Sequence, residues 1–447
     1  MTRLSSHWGK ALVAAAVGLQ CGLLAVPAAA GEHTETLSAF DEDAKWQGIL
    51  GVRFLNIQHT ALITRELVCQ GGGRSSVCGG TSQILDTRQL AVKESMNVLN
   101  IDLRTGLYKD LELSLTLPIV FGWSTSVSND DGVGQGNSLV DTGQNATSLF
   151  SMPYDSPSRA GVGDLSLGLK YAVFNQARNG RFPTWVVSFD YQAPTGTARK
   201  AGEPSVGSGI HQITLGTAIS RRFGKWAEPY MRVRGNLRFP AGSSPFQNLV
   251  VTQTRVGPGH SIGVEFGSEF FPWREPTKEG SYVSIAVGVL GEYVFDGREY
   301  TELFDALGTS GCQAASGCQL TRMTRHKEPT GTTFVDPPAG QPRVTDGTTD
   351  VERYGRLGAT VGVTYQPIRW VRLRLDFTYT RTTSHFITFA DAGKTDLNGD
   401  GEIDHGKNGG ANEFSPYYNE NFDDYGRRFR VDASNSYQML FSVEGRY

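Results

Sequence analysis

The feature that constrains this chain most is a series of segments in which apolar residues recur at every second position. The clearest lies within Gly161–Pro194, where Leu165, Leu167 and Leu169 alternate with polar or small residues. Successive side chains of a β-strand point to opposite faces, so this spacing predicts a strand with one apolar and one polar face. A polar turn at residues 175–181 then leads into a second such segment. The pattern predicts a β-hairpin that suits either a soluble sheet or a membrane barrel.

Twelve segments of this kind occur, and their connections decide between the two alternatives. They cover roughly residues 46–59, 92–105, 110–124, 161–174, 183–194, 210–222, 226–239, 259–272, 280–296, 353–366, 369–383 and 428–447. Long and short connections alternate without exception, beginning with a long loop at residues 64–91. The sequence therefore predicts an all-β fold, a 12-stranded antiparallel transmembrane β-barrel with short periplasmic turns and long extracellular loops.

Charged residues occupy the second face of several predicted strands. Burying them in a soluble core would be costly, whereas a polar lumen accepts them. Two interpretations stay open: a pathway whose charges set selectivity, or salt bridges that fill a narrow barrel. The residues predicted to line the lumen are Lys170, Asp190, Arg232, Arg234, Arg238, Glu265, Glu269, Arg372, Arg374 and Asp376.

The first thirty residues have the pattern of a secretory signal peptide. Arg3 and Lys10 precede an apolar stretch that ends in Pro27–Ala30. Its removal takes away two positive charges and no acidic residue, so the net charge changes from −3 to −5, which argues against nucleic-acid binding. Residues 31–45 are then expected to form a periplasmic segment or a small plug, and residues 46–447 the barrel.

Four cysteines remain after the predicted cleavage, and they form two close pairs. An even count in an exported protein favours the disulfides Cys69–Cys78 and Cys312–Cys318. A metal site is the weaker alternative, because neither spacing is that of a CxxC motif.

A possible calcium loop lies in the last long connection. Alternate oxygens in the order DxNxDGxxD match the start of an EF-hand loop. Lys407 stands where a bidentate carboxylate is expected, so a solvated Asp/Gly turn is the alternative. The predicted Ca²⁺ ligands are Asp396, Asn398, Asp400, Glu402 and Asp404.

The chain ends in an aromatic residue, Tyr447, with Phe441 and Val443 on the same strand face. This pattern is similar to the C-terminal signal read by the barrel-assembly machinery of bacteria. It predicts the outer membrane as location, with the lipid bilayer and lipopolysaccharide as surroundings.

Part of the chain resembles a known family. The motifs are GVGDLSLGLKY from Gly161, APTG at Ala193–Gly196, VGSGIHQITLGTAISRRFG at Val206–Gly224 and the pair Pro229–Tyr230. They resemble outer-membrane transporters named for the meta-pathway of phenol degradation, which are more distantly similar to FadL-type channels for hydrophobic substrates. The resemblance implies passage of small, often apolar compounds across the outer membrane.

These patterns together predict a channel for passive uptake of small, hydrophobic or aromatic solutes. The alternative is a surface protein with disulfide- and calcium-braced loops that binds a partner and has no open pore. We expect no enzyme, although His59 and His385 fall near the loop side, where a rim protease would place its catalytic groups.

Overall fold

Twelve long strands form one closed antiparallel barrel. The computed structural model describes residues 33–40, 46–69, 83–141, 148–242, 245–247, 257–275, 280–310, 326–327, 334–335, 346–390 and 422–447. Each strand pairs with its chain neighbours, and the last strand also pairs with the first, so the predicted fold class is confirmed. The strands are β1 (Gly48–Cys69), β2 (Gln83–Tyr108), β3 (Leu111–Asn129), β4 (Ser166–Phe174), β5 (Thr184–Gln192), β6 (Ile210–Ser220), β7 (Ala227–Pro240), β8 (Ser261–Arg274), β9 (Tyr282–Val294), β10 (Tyr354–Ile368), β11 (Val371–Thr382) and β12 (Phe429–Arg446).

The two ends of the barrel differ in how the strands are joined. At one end, β2 meets β3 through residues 109–110, and β10 meets β11 through residues 369–370. At the other end, residues 295–353 and 383–428 form the longest connections. Outer-membrane barrels keep their tight turns in the periplasm and their long loops outside, which fixes the orientation.

The outer face of the wall carries an apolar belt with an aromatic rim. Exposed aliphatic side chains cover the middle of the wall, and exposed aromatic side chains ring its periplasmic end. Hydrocarbon lipid matches such a belt, and aromatic rings favour the membrane interface. The protein is therefore a β-barrel of the bacterial outer membrane. The periplasmic ring includes Trp185, Trp226, Trp273, Trp370 and Tyr447.

The wall is much taller on one side than on the other. Strands β4 and β5 have nine residues each, which is the length that crosses the hydrocarbon layer. Strand β1 has 22 residues and β2 has 26. At about 3.3 Å per residue, strands of that length reach about 70–85 Å and rise well above the membrane.

The predicted long loop at residues 64–91 is therefore wrong. Strand β1 continues to Cys69 and β2 begins at Gln83. Register shifts beside Ile63 interrupt the period of two. Above the membrane the outer face is also polar, as at Gln58 and Thr60, so the apolar signature ends before the strand does.

Extracellular loops pack against the raised wall and form a second core at the outer mouth. This layer, which we call the cap, consists of residues 148–150, 298–310, 346–351 and 387–390. It contains a short helix, α1 (Phe304–Gly308), whose Phe304 and Leu307 are buried. Leu307 belongs to the same apolar cluster as Ile63 and Leu90 of the wall. The cap thus spans the mouth from one side of the barrel to the other.

Several short elements complete the described part of the chain. Strand Gly297–Glu299 pairs with Thr349–Val351 inside the cap. Among the described residues, none of the helices has both the length and the apolar character needed to cross a membrane. The remaining elements are the pieces Tyr154–Asp155 and Arg159–Val162 beside β3, His385–Phe386 beside β12, the pair His326–Lys327 with Phe334–Val335, and a 3₁₀ turn at Pro245–Gln247.

Candidate functional site: the barrel lumen

The ten charged residues predicted for the lumen all lie on the inner face of the wall. Their chain neighbours are lipid-facing: Met231 and Leu237 are exposed on β7, whereas Arg234 and Arg238, at alternate positions, are buried. The same alternation places Glu265 and the other seven on the inner face of β4, β5, β7, β8 and β11. Whether they line an open path stays a prediction.

A hydrogen-bonded cluster fills the middle of the lumen. The Tyr230 hydroxyl donates to Glu265 at 2.9 Å, and Nε2 of His33 lies 3.3 Å from the same carboxylate. Nη1 of Arg232 lies 3.3 Å from the other ring nitrogen of His33. The Tyr230 ring can lie flat on the wall because Gly267 opposite has no side chain; a Cβ there would come within 2.6 Å of the ring.

His33 belongs to a segment, residues 33–39, that enters the lumen from the periplasmic end. We call it the inner segment. The backbone N–H of Leu37 donates to Glu112 at 2.9 Å, and the Ser38 hydroxyl donates to Asp110 at 3.1 Å. The N–H of Ala39 donates to the Tyr108 carbonyl at 3.2 Å. The wall therefore binds both the backbone and the side chains of the inner segment.

Glu35 of the inner segment is surrounded by guanidinium groups. Arg372 donates to both of its carboxylate oxygens, at 2.9 and 3.1 Å, and Arg446 donates to Oε1. Nη1 of Arg104 is 3.9 Å from Oε2. Burial alone would raise the pKa of Glu35, but Arg372 and Arg446 hold it well below its usual range. Glu35 is therefore a carboxylate at neutral pH.

The other predicted lumen charges are also paired within the wall or with the cap. Arg374 and Asp376 form a buried ion pair at 2.6 Å. Glu269 accepts a hydrogen bond from Ser284 at 2.5 Å. Arg238 reaches Glu299 of the cap at 3.1 Å. Arg238, Arg374 and Asp376 are thus neutralised locally by a partner of opposite charge.

Lys170 and Asp190 face the lumen on the short side of the wall. Lys170 stands beside Glu112 in the register of β3 and β4. Asp190 leans over Gly168, where a Cβ would come within 2.3 Å of its Oδ1. Both side chains are half-buried.

Above the charged region the inner face becomes apolar, which the sequence analysis did not predict. On β1 and β2 the regular inward positions simply change from charged residues to apolar ones, as from Asp102 to Val98, whereas on β3 a register shift between Val120 and Trp123 turns Trp123 inward. A sequence signal exists on β1, where Phe54 and Leu55 are adjacent and would serve two apolar faces. We call this surface the upper patch; it comprises Leu55, Ile57, Met96, Val98, Val120, Trp123 and Leu440, covered in part by Val206.

Two arginines join the upper patch to the cap. The Arg199 guanidinium lies 4.4 Å from the Trp123 ring and 3.8 Å from the Tyr300 ring, which is cation–π distance. Arg159 donates to both oxygens of Asp305 in α1, at 2.9 and 2.6 Å. Both partners of the second pair are buried, so it is a strong bidentate contact between the cap and the wall.

The two histidines noted near the loop side lie close together under the cap. Nε2 of His59 is 3.4 Å from Glu302, and the His385 ring stacks on Tyr354 at 4.1 Å. Burial acts to raise the pKa of Glu302, but the hydrogen bond from His59 and its charge lower it to about 2. Burial lowers the pKa of His385. Ion pairing and ring stacking account for these contacts without a catalytic arrangement of the rim-protease kind.

The described residues enclose two cavities that bear on the lumen, among others. A small one of about 100 Å³ under the cap is lined by His59, Glu302 and His385. A larger one of about 670 Å³ opens at the periplasmic end. Glu35 and Phe271 are among the residues that line it. The central cluster around Tyr230 lies between the two ends.

Several predicted sites fall outside the described residues. The calcium loop at residues 396–404 and three of the cysteines, Cys78, Cys312 and Cys318, are among them. Cys69 is buried at the end of β1. Both disulfides and the Ca²⁺ site stay predictions. Within the described part of the chain, no group of three or more His, Cys, Asp or Glu side chains is arranged to hold a metal ion.

Comparison with known families agrees with the resemblance found in the sequence. Residues 100–238 match the family described as "Putative MetA-pathway of phenol degradation". The match contains all the motifs that carried the resemblance, from Gly161 to Tyr230. No curated protein sequence matches the chain significantly.

Solved structures similar to this one include three outer-membrane proteins. An outer membrane channel from Pseudomonas putida F1 is 12% identical, with a TM-score of 0.38, over 89% of this chain and 95% of that one. A FadL homologue from Pseudomonas aeruginosa is 10% identical, with a TM-score of 0.29, over 90% of both chains. The CymD monoaromatic hydrocarbon channel is 11% identical, with a TM-score of 0.27, over 88% of both chains.

Proposed function

We propose that this barrel is an outer-membrane channel for passive uptake of small hydrophobic or aromatic solutes. The observation that carries the proposal is the upper patch, an apolar cluster on the inner face of the barrel that is buried while the cap is closed. Barrel interiors are normally polar, and polar side chains and ion pairs fill the lower lumen of this barrel. An apolar inner wall suits an apolar solute. The family match at residues 100–238 includes Val120 and Trp123 of the patch, and the family's name points to an aromatic compound.

The proposed route runs from the upper patch to the periplasmic cavity. That cavity, of about 670 Å³, has the size of a small-molecule site. The cap lies above the patch, and the cluster of Tyr230, Glu265 and His33 lies below it. The geometry is therefore that of a closed channel, and passage requires the cap and the inner segment to move aside.

Uptake by cells tests this proposal. The barrel is expressed in a Gram-negative host that lacks its own general porins, and entry of radiolabelled benzyl alcohol is compared with entry of a disaccharide. We expect aromatic uptake well above that of cells with empty vector, and little disaccharide uptake. Aromatic uptake equal to the vector control would contradict the channel.

Variants of the patch connect uptake to the structure. Ile57→Asn and Val98→Asn place an amide on the apolar wall and should lower aromatic uptake severalfold. Thr60→Asn on the exposed face of the same strand is the matched control. Equal uptake in all variants would remove the upper patch from the route.

A second candidate function is a closed surface barrel whose loops bind a partner. The cap favours it, because its apolar core spans the mouth. Planar-bilayer conductance separates the two candidates. A channel should conduct once the cap is released by substitution, whereas a closed binding barrel stays silent in every variant. Neither candidate requires a catalytic step.

The loop sites belong to the same proposal. We propose that Ca²⁺ at Asp396–Asp404 and the two disulfides stabilise the long loops, and that β12 with Tyr447 is read by the assembly machinery. Calorimetry of the purified barrel should show calcium uptake, and peptide mapping without reduction should show the bridges. Only weak millimolar calcium binding would remove the first, and free thiols would remove the second.

A further inference from the structure

Glu35 is bound by the wall in the way that a separate carboxylate ligand would be. Arg372 offers two donors to the two carboxylate oxygens, and Arg446 adds a third donor. A bidentate guanidinium–carboxylate pair is the strongest common form of carboxylate recognition. Glu35 belongs to the inner segment, which lies in the lumen outside the twelve strands, so its position is that of a tethered ligand rather than of a wall residue.

The charge balance around Glu35 depends on its presence. The cluster contains three guanidinium groups, Arg104, Arg372 and Arg446, and three carboxylates, Glu35, Glu112 and Glu444. Withdrawal of Glu35 leaves one positive charge uncompensated. Its neighbours Arg104 and Arg372 have side chains only 11% and 13% exposed, so a lost partner is costly unless another anion replaces it.

The surroundings provide a donor and space for such an anion. Nη1 of Arg446 is buried and lies 3.6 Å from a carboxylate oxygen of Glu444, but it makes no hydrogen bond within the described part of the chain. The periplasmic cavity of about 670 Å³ reaches Glu35 and Arg372, and Phe271 and Tyr282 also line it. The arginines could hold a carboxylate while the aromatic side chains contact an apolar body.

We propose that Arg372 and Arg446, with Arg104 behind them, form a binding site for the carboxylate of a small organic acid, and that Glu35 occupies this site until the acid displaces it. The site narrows the solute class from hydrophobic compounds in general to those that carry a carboxylate. The proposal rests on the proposed function only for the route by which the acid arrives. Arg372 donates to Gln366 and contacts Glu444 as well, so the site keeps its shape when Glu35 leaves.

Binding of benzoate to the purified full-length barrel in detergent tests the site. Titration calorimetry compares the wild type, Glu35→Ala, Glu35→Gln and the double variant Glu35→Ala/Arg372→Gln. Benzamide, which has the same shape without the charge, is the ligand control. Glu203→Gln, an exposed loop residue, is the matched protein control.

We expect benzoate to bind Glu35→Ala at least about tenfold more tightly than the wild type, because the internal competitor is gone, with Glu35→Gln between the two. The double variant should lose this gain, benzamide should show none, and Glu203→Gln should behave as the wild type. If Glu35→Ala does not fold, Glu35→Gln against the wild type gives the same comparison.

Benzoate binding that is equal in the wild type and in Glu35→Gln, or equal to benzamide binding, would overturn the site. This test of the carboxylate site can be distinguished from the test of the proposed channel function. Benzoate binding without aromatic uptake would leave the site and remove the channel, and aromatic uptake without benzoate binding would do the reverse.

Discussion

The upper and lower halves of the lumen fill the same barrel in opposite ways. Below, charges meet in pairs around an inserted chain segment, as Glu35 does with Arg372. Above, Leu55, Ile57 and Trp123 form an apolar wall under a cap of loops. The difference comes mainly from residue type at the inward positions of β1 and β2, which change from charged to apolar towards the extracellular end, and a register shift in β3 adds Trp123. The lumen therefore offers a solute two chemically different walls along the same strands.

The largest effect is expected at the cap, which closes the lumen on the extracellular side. Arg159→Met removes one partner of the buried pair with Asp305 and should destabilise the cap by about 3–5 kcal/mol, because a buried charge is left without its partner. The cap loops should then become sensitive to protease, and bilayer conductance should rise. Arg159→Met/Asp305→Leu should recover most of the protease resistance. A single variant as resistant as the wild type would show that other contacts hold the cap.

The next effect concerns the charges of the middle lumen. Replacement of Arg232, Arg234 and Arg238 by Gln together removes three positive charges from the inner face of β7. If solute and ions pass these residues, reversal potentials in a bilayer should shift towards cations. Unchanged selectivity would mean that the arginines serve only to fill the barrel.

A smaller effect is expected from pH at the contact between the cap and the wall. The pKa of Glu302 is held at about 2, below its usual 4.5, by protonated His59, so this pair stabilises the cap fully between about pH 4.5 and 6.5. That stability is lost as pH falls from 4.5 towards 2, and it is lost again as His59 deprotonates above about 6.5. Protease sensitivity of the cap should therefore be lowest between about pH 4.5 and 6.5 and rise on both sides. Glu302→Gln should remove this dependence; an unchanged profile in that variant would assign it to another group.

The smallest effect is expected on the outside of the raised wall. Arg88 and Asp432 form an ion pair at 3.0 Å, but their side chains are 58% and 39% exposed. Arg88→Gln should change stability by no more than about 0.5 kcal/mol, since exposed pairs are screened by water and salt. Thermal unfolding followed by gel mobility measures it, and a loss as large as that of Arg159→Met would break the distinction between buried and exposed pairs.

The barrel itself could be predicted from the sequence because lipid imposes a simple rule on every strand. Residues such as Leu167, Val264 and Leu375 must face hydrocarbon, and their neighbours then face inward. The inward orientation of the ten predicted lumen residues follows from that rule alone. Connection lengths add the orientation, because outer-membrane barrels have short turns at the periplasmic end and long loops at the extracellular end.

The rest depends on contacts that period-two patterns do not contain. The extension of β1 to Cys69 is hidden by a register shift at Ile63. The inward position of Trp123 is hidden in the same way, since Val120 and Trp123 have the wrong spacing to share a face in a regular strand. Glu35 is bound by Arg372 and Arg446, which lie 337 and 411 positions further along the chain. No local sequence pattern exists at such a separation.

The most direct test of the whole account is to locate an aromatic solute in the lumen. Crystals of the barrel soaked with a bromophenol allow the bromine to be placed by its anomalous scattering. The account predicts a bromine peak inside the barrel, against Ile57, Met96 and Trp123. Peaks confined to the lipid-facing surface, with none in the lumen of a saturated crystal, would contradict it.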